Sequence, residues 1–416
     1  MCGIAGYIGL KRFENKNINK ILESMKNRGP DSFGFKETGF NKKFISLFFA
    51  RLNIIDDMPR SNQPFSYKDK LLIFNGEIYN YLELKNELLK KGYSFKTTSD
   101  TEVLIKVLDF WGESGIKKLE GMWSFFFYDK TKKRGILCRD RFGEKPLFYY
   151  HKKNNFVFAS EIKTLHKIID KHKGVNINKI DDLLRYGYRN IYKDNKTFFN
   201  EIIDFPKGHY LIIENNKIVK KRYWDIKPKI NKNSEKENLT KIKDKLFDSI
   251  KTRLRSDFPI AFFLSGGIDS NALAFIAKKY FNYDVKTFSI IGSDTKYDES
   301  KAINYSVKKL GVEHQSLKIN FEKYNFFNTL REQALYHDAP VTTINSLLQF
   351  SLLKKIKKKG YKIAISGIGA DEIFSGYYDH HLAYLESIKN NKKLYKFSLD
   401  NWKKNILPVI TNPLLK

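Results

Sequence analysis

The chain begins MCGIAGYIG (residues 1–9), which puts one of its two cysteines directly behind the initiator methionine, with glycine next. A thiol there has three readings: chance, a lipid anchor, or a nucleophile that works from a free N-terminus. The anchor reading fails on chemistry. N-myristoylation takes glycine at position 2, and a lipid-modified bacterial cysteine follows a signal peptide. Here the apolar run starts at residue 2 and is broken by Lys11 and Arg12, so it does not read as a signal peptide. Methionine ahead of a small residue is usually removed, which would leave Cys2 with a thiol and an α-amine together. An α-amine with a pKa of about 7.7–8.0 can accept the thiol proton near neutral pH, so one residue supplies nucleophile and base. Gly3 would then let the backbone turn and a substrate approach. Alone, a cysteine at position 2 is a weak signal, and its neighbours decide.

The bulk composition narrows the alternatives. At about 150 residues per domain, 416 residues suggest two or three domains. With 42% hydrophobic and 29% charged residues the chain reads as globular. No apolar stretch approaches the ~18 residues of a membrane-spanning helix, so no membrane partner is expected. Cys2 and Cys138 give neither a disulfide framework nor metal-ligand spacing, and a reducing, cytoplasmic setting is expected. His380 and His381 are adjacent and so point to different sides of any element. The net charge of +30 invites a nucleic-acid reading, but only 13 of the 76 basic residues are arginine and the charges are spread. Runs such as KKIKKKG (354–360) read as a solvated helix end. No nucleic-acid partner is expected, since no binding motif accompanies the charge.

Residues 1 to about 225 read as strand-rich. KFISLFFARL (43–52), KLLIFNG (70–76), MWSFFFYD (122–129), RGILCRD (134–140), PLFYY (146–150) and NFVFAS (155–160) are short apolar runs set off by turn residues. YLELKNELLKKG (81–92) and TEVLIKVLDFWG (101–112) have helical spacing, and Thr98, Ser99, Asp100 and Thr101 stand where the second helix should be capped. Two antiparallel sheets with helices outside are the expected architecture. KPKINKNSEKEN (227–238) is the best linker candidate. After it, strands such as IAFFL (260–264), VKTFSI (285–290), HQSLKI (314–319) and KIAISG (362–367) alternate with helical stretches. That rhythm predicts a doubly wound parallel sheet, whose ligands bind beyond the carboxyl ends of the strands.

RGPDSFG (28–34), ARLNIID (50–56), NGEIYN (75–80) and SDTEVL (99–104) follow MCGIAG in the same half. Together these stretches resemble the glutamine amidotransferases with an N-terminal cysteine, in that family's order and spacing. RDRFGEKPLFY (139–149) and FASEIKTL (158–165) resemble the asparagine synthetase branch. The resemblance implies an αββα sandwich of the N-terminal-nucleophile class over residues 2–225. It implies that Cys2 attacks the glutamine side-chain amide, with Asn75 and the Gly76 N–H stabilising the oxyanion. Arg51 would hold the substrate carboxylate, and Asp100 and Glu77 its α-ammonium. Taken one at a time, these could also be a turn asparagine, a solvated arginine and a helix-capping aspartate.

SGGIDS (265–270) carries small residues between a strand and a helix, where backbone N–H groups meet anions. It lacks the lysine of the Gly-Lys-Ser nucleotide loop. It resembles the pyrophosphate loop of enzymes that cleave ATP to AMP and pyrophosphate, and SGIGADEIFSGY (366–377) and YDES (297–300) fit the same family. The resemblance implies a Rossmann-like ATP pyrophosphatase domain over 239–416, after a 226–238 linker. Phe263, Ser265, Gly266, Gly267, Asp269, Ser270, Ile290, Ser366 and Gly367 would contact ATP, and Asp269 and Asp371 would hold magnesium. Glutamine, aspartate and ATP are the implied small-molecule substrates, and a homodimer is an expected assembly.

Three departures bear on the acceptor. Asn271 stands where the family has a second serine. Ile368 stands where asparagine-forming members carry glutamate, and isoleucine does no proton chemistry. The chain stops at PVITNPLLK, short of typical synthetases, which reads as a truncated or unusually short member. Besides asparagine formation, the open alternatives are amidation of another carboxylate, such as one on a surface sugar, and a chain with glutaminase activity alone.

Overall fold

The computed structural model describes residues 1–215, 217–227, 233–293 and 298–410. The chain divides into two units, residues 1–259 with 322–362, and residues 260–321 with 363 onward. In the first unit, twelve strands form two antiparallel six-stranded sheets. One holds β1 (Gly3–Gly9), β2 (Ser32–Phe40), β3 (Lys43–Arg51), β8 (Phe148–Lys152), β9 (Asn155–Ala159) and β10 (Ile203–Asp204), in the order β10-β8-β9-β1-β3-β2. The other holds β4 (Phe65–Tyr67), β5 (Lys70–Ile78), β6 (Gly121–Asp129), β7 (Arg134–Arg139), β11 (His209–Glu214) and β12 (Lys217–Arg222), in the order β12-β11-β7-β6-β5-β4.

The runs are apolar on both faces because both faces are covered. Along β6, Phe126 and Tyr128 point into an inter-sheet core, with Ile4 and Ile8 of β1 and Phe156 and Phe158 of β9. Trp123, Phe125 and Phe127 point the other way, onto helices Tyr81–Leu89 and Asp100–Trp111. Ala5, Tyr7, Val157 and Ala159 face outward from the first sheet onto helices Asn15–Ser24 and Ile162–Ile169. Helix, sheet, sheet, helix is thus the layer order, an αββα sandwich. Strict alternation along a buried strand yields this result without any polar face. Cys138 is fully buried and takes the Trp123 Nε1–H at 3.5 Å, and burial holds its thiol well above the usual range. It is a packing residue.

The polar stretch 227–238 divides. Residues 228–232 lie outside the described residues, and Ser234 forms a capping box with Glu237 that starts helix Glu235–Arg253.

In the second unit β13 (Ile260–Phe263), β14 (Lys286–Gly292), β15 (Glu313–Ile319) and β16 (Ile363–Ile365) form one sheet in the order β15-β14-β13-β16. Every pairing is parallel. Helices Ile268–Tyr280 and Ser300–Leu310 make the first two crossovers. The strand order reverses at β13, so the sheet has a topological switch point between β13 and β16, the usual position of a ligand crevice. No helix among the described residues is long and apolar enough to cross a membrane.

The inter-sheet core makes a direct prediction. Phe126 and Phe158, one from each sheet, are fully buried with ring centroids 5.0 Å apart. Phe126→Ala is expected to destabilise the first unit by about 3–5 kcal/mol, read from the urea midpoint at unchanged m. A shift under ~1 kcal/mol contradicts this account of the core.

Candidate active site

The register of β1 fixes the N-terminus. Gly3 pairs with Ala50, so Cys2 falls beside the end of β3. The Leu52 N–H donates to Cys2 Sγ at 3.4 Å, and the thiol donates to Leu52 O at 3.5 Å. Gly3 does not turn the chain, contrary to the expectation. It is the first residue of an extended strand packed on Met25, and Met25 Cβ would lie 3.2 Å from an added Cβ.

Cys2, Arg51, Gly76, Glu77 and Asp100 line one small cleft, with Leu52, Gln63 and Thr101 between them. Asn75 is fully buried next to Gly76 on β5, and its Nδ2 makes one long 3.5 Å contact with Ser160 Oγ. Its Oδ1 has no partner among the described residues. The Arg51 guanidinium is fixed by the 53–62 loop, donating from Nη1 to Met58 O at 3.0 Å and to Asn62 Oδ1 at 2.7 Å, and from Nη2 to Asp56 O. These bonds use three of its five N–H donors and leave two for a ligand. Asp56 braces that loop by accepting from Thr98 N at 2.9 Å and pairing with Arg60 at 3.1 Å.

Ser99, not Asp100, caps helix Asp100–Trp111, accepting the Thr101 N–H at 3.1 Å. That leaves Asp100 free of the capping role. Its carboxylate accepts the Ile78 N–H at 3.0 Å inside the cleft. Burial raises the Asp100 pKa to about 7, with the Glu77 charge adding in the same direction. Burial also raises Glu77, against the pull of Lys145.

Two cations near Cys2 have no signature in sequence. Arg28 Nε donates to Cys2 O at 2.9 Å, and its Nη1 lies 3.8 Å from Glu161 Oε1. Lys145 is buried with its Nζ 3.2 Å from Met1 Sδ. Both serve the backbone or the terminus, so only the stretches RGPDSFG and RDRFGEKPLFY hint at them. Burial pushes the Cys2 thiol up, opposed by the terminal amine, the Leu52 N–H, Lys145 and Arg51. The Met1 α-amine is held down at about 5, by burial first, with Arg28 and Lys145 acting the same way.

In the second unit, Ser265, Gly266, Gly267, Asp269 and Ser270 follow β13, whose last residue is Phe263. Ser366, Gly367 and Asp371 follow β16, and Ile290 lies on β14. The two loops leave adjacent parallel strands at the switch point and meet. An added Cβ at Gly367 would lie 3.0 Å from Asp269 Cβ and from Ser270 N. Helix Ile268–Tyr280 has no side-chain cap, so its first N–H groups are left without a capping acceptor. These features fit an anionic phosphate chain. Among the described residues no group of three or more His, Cys, Asp or Glu is arranged around a metal position. Magnesium usually takes one or two carboxylates plus phosphate oxygens, so Asp269 and Asp371 fit that demand. Tyr297 of YDES lies outside the described residues.

Comparison with known proteins assigns both parts of the chain to families. Residues 1–224 match the glutamine amidotransferase domain and residues 241–407 match asparagine synthase. Asparagine synthetase 1, glutamine-hydrolyzing, of Bacillus subtilis is 33% identical over 385 residues, covering 91% of this chain and 59% of that one. Asparagine synthetase 3 of the same organism is 28% identical over 433 residues, covering 98% and 69%. Amidase chry2 of Gibberella zeae is 28% identical over 410 residues, covering 91% and 59%. The chain therefore spans well under two thirds of two of these relatives. With both domains matched in order along nearly its whole length, the chain belongs to the glutamine-dependent asparagine synthetase family.

Proposed function

We propose that the chain moves the amide nitrogen of glutamine onto the side-chain carboxylate of aspartate while ATP is cleaved to AMP and diphosphate, giving asparagine and glutamate. The observation that carries this reading is the convergence of Cys2, Arg51, Gly76, Glu77 and Asp100, from separate segments, on one cleft. In that cleft the Cys2 thiol attacks the glutamine amide carbon and forms a γ-glutamyl thioester, releasing ammonia, and water then frees glutamate. Removal of Met1 makes the Cys2 amine the proton acceptor. The buried, cation-flanked setting that keeps the Met1 amine at about 5 favours a neutral amine at pH 7. The Gly76 N–H and Asn75 Nδ2 stabilise the oxyanion, typically ~3–4 kcal/mol for one such donor. Arg51 takes the substrate carboxylate on its two remaining N–H groups, and Asp100 and Glu77 take the α-ammonium.

In the second unit, the uncapped start of helix Ile268–Tyr280 and the Ser265 to Ser270 loop would hold the phosphates, and Asp269 and Asp371 would hold magnesium, which would offset the phosphate charge. ATP supplies AMP as the leaving group that a carboxylate lacks. A second reading keeps both half-reactions but changes the acceptor to another carboxylate. Ile368, 69% exposed beside Gly367, supports it, because no acid stands there to handle a proton. So does the similarity to a protein named an amidase.

Cys2→Ala is expected to abolish glutamine hydrolysis while leaving ammonia-dependent AMP release intact. Glutamine turnover that survives the change contradicts the nucleophile assignment. Asp100 gives a pH test. Its folded pKa of about 7 lies above the unfolded 3.8, so the folded state binds the extra proton and ionisation costs stability as pH rises from about 4 to 7. Asp100→Asn should therefore match the parent below pH 4 and exceed it above pH 7, by up to ~4 kcal/mol in chemical denaturation. The same variant should raise the KM for glutamine about 10- to 100-fold, through loss of the charge-assisted bond. Unchanged KM removes Asp100 from the ammonium site.

A further inference from the structure

Glu299 stands one residue before helix Ser300–Leu310, yet its carboxylate reaches the loop after β13. There Oε2 accepts the Gly266 N–H at 2.9 Å. The approach is close: a Cβ added at Gly266 would lie 3.2 Å from Ala302 Cβ and 3.4 Å from Glu299 Cβ. The neighbouring donors are satisfied from within the loop and helix. The Ser265 N–H donates to Ser270 Oγ at 3.0 Å and the Gly267 N–H to Ser265 Oγ at 3.1 Å. Asn271 Nδ2 locks the turn, donating to Ser265 O at 2.9 Å and Gly267 O at 2.7 Å. This gives Asn271, the residue that departs from the family pattern, a defined task. Gly266 alone among these three N–H groups takes its acceptor from a distant segment, and that acceptor is an anion.

We propose that Glu299 is a resident anion of this loop, one that competes with an incoming polyphosphate for the Gly266 N–H and must yield it when the polyphosphate binds. The proposal rests on reading the loop as the nucleotide site. A carboxylate and a phosphate oxygen sharing one donor repel each other, and the repulsion grows with the net charge on the phosphate chain. Magnesium neutralises part of that charge. Glu299 therefore penalises metal-free polyphosphate more than the magnesium-bound form, and favours the species able to react. Both Gly266 and Glu299 are exposed, so salt weakens the effect.

The test is calorimetric titration of inorganic pyrophosphate into the full chain, with EDTA and with excess magnesium, for the parent, Glu299→Gln and Glu299→Ala. Glutamine keeps an amide oxygen for the Gly266 N–H without the charge, so it preserves the loop should alanine disturb it. At low ionic strength both variants are expected to bind metal-free pyrophosphate about tenfold tighter than the parent, a change of ~1.4 kcal/mol. The gain should shrink in magnesium and in added salt. Parent and Glu299→Gln binding alike, with Glu299→Ala weaker, would overturn the proposal and leave Glu299 as a brace for the loop. Failure of all three proteins to bind pyrophosphate under either condition would overturn the nucleotide reading itself.

Discussion

Antiparallel pairing of β1 with β3, from Gly3 opposite Ala50 to Gly9 opposite Phe44, ends one residue short of the candidate nucleophile Cys2. A slip of one residue would turn Ile4 and Ile8 out of the inter-sheet core and move Cys2 away from Leu52, because strand side chains alternate faces. Core packing thus sets the position of the thiol to within a hydrogen bond. β5 and β6 do the same for Asn75 and Gly76, the proposed oxyanion donors, with Asn75 opposite Ser124 and Gly76 opposite Trp123. The two sheets that make the sandwich stable are also the jig that aligns the cleft.

The two candidate sites are built from different chemistry. In and beside the cleft, Glu77, Asp100, Arg28 and Lys145 are largely buried near one thiol, and Glu161 is buried against Arg28. Buried charges of this kind cost several kcal/mol each in desolvation and rarely persist for stability alone. Their persistence around one cysteine is consistent with catalysis. The loop after β13 instead relies on backbone N–H groups and a helix N-terminus, with no lysine between Ser265 and Ser270.

Much of this was legible in the sequence, for physical reasons that differ by element. MWSFFFYD reads as a strand because both its faces are buried, and SGGIDS reads as a ligand loop because it joins a buried strand to a helix. Ser32–Phe40 does not read as a strand: SFGFKETGF is half-buried, polar and glycine-containing. Lys217–Arg222 does not either, since lysines on an exposed edge look like loop and guard the sheet against further pairing. From sequence Asp100 is ambiguous between cap and ligand, and the structure gives the cap to Ser99. Arg28 and Lys145 were invisible because a backbone carbonyl and a chain terminus have no side-chain signature. Glu299 counted only as part of YDES, since its partner is a glycine N–H more than thirty residues away.

The most direct test of the account is a single reaction containing glutamine, magnesium-ATP and aspartate, with AMP, pyrophosphate, glutamate and asparagine all quantified. Aspartate-dependent AMP is expected, matched one for one by asparagine and pyrophosphate. Glutamate formed with no AMP under any aspartate concentration would contradict it, leaving a glutaminase whose second half serves another acceptor or none.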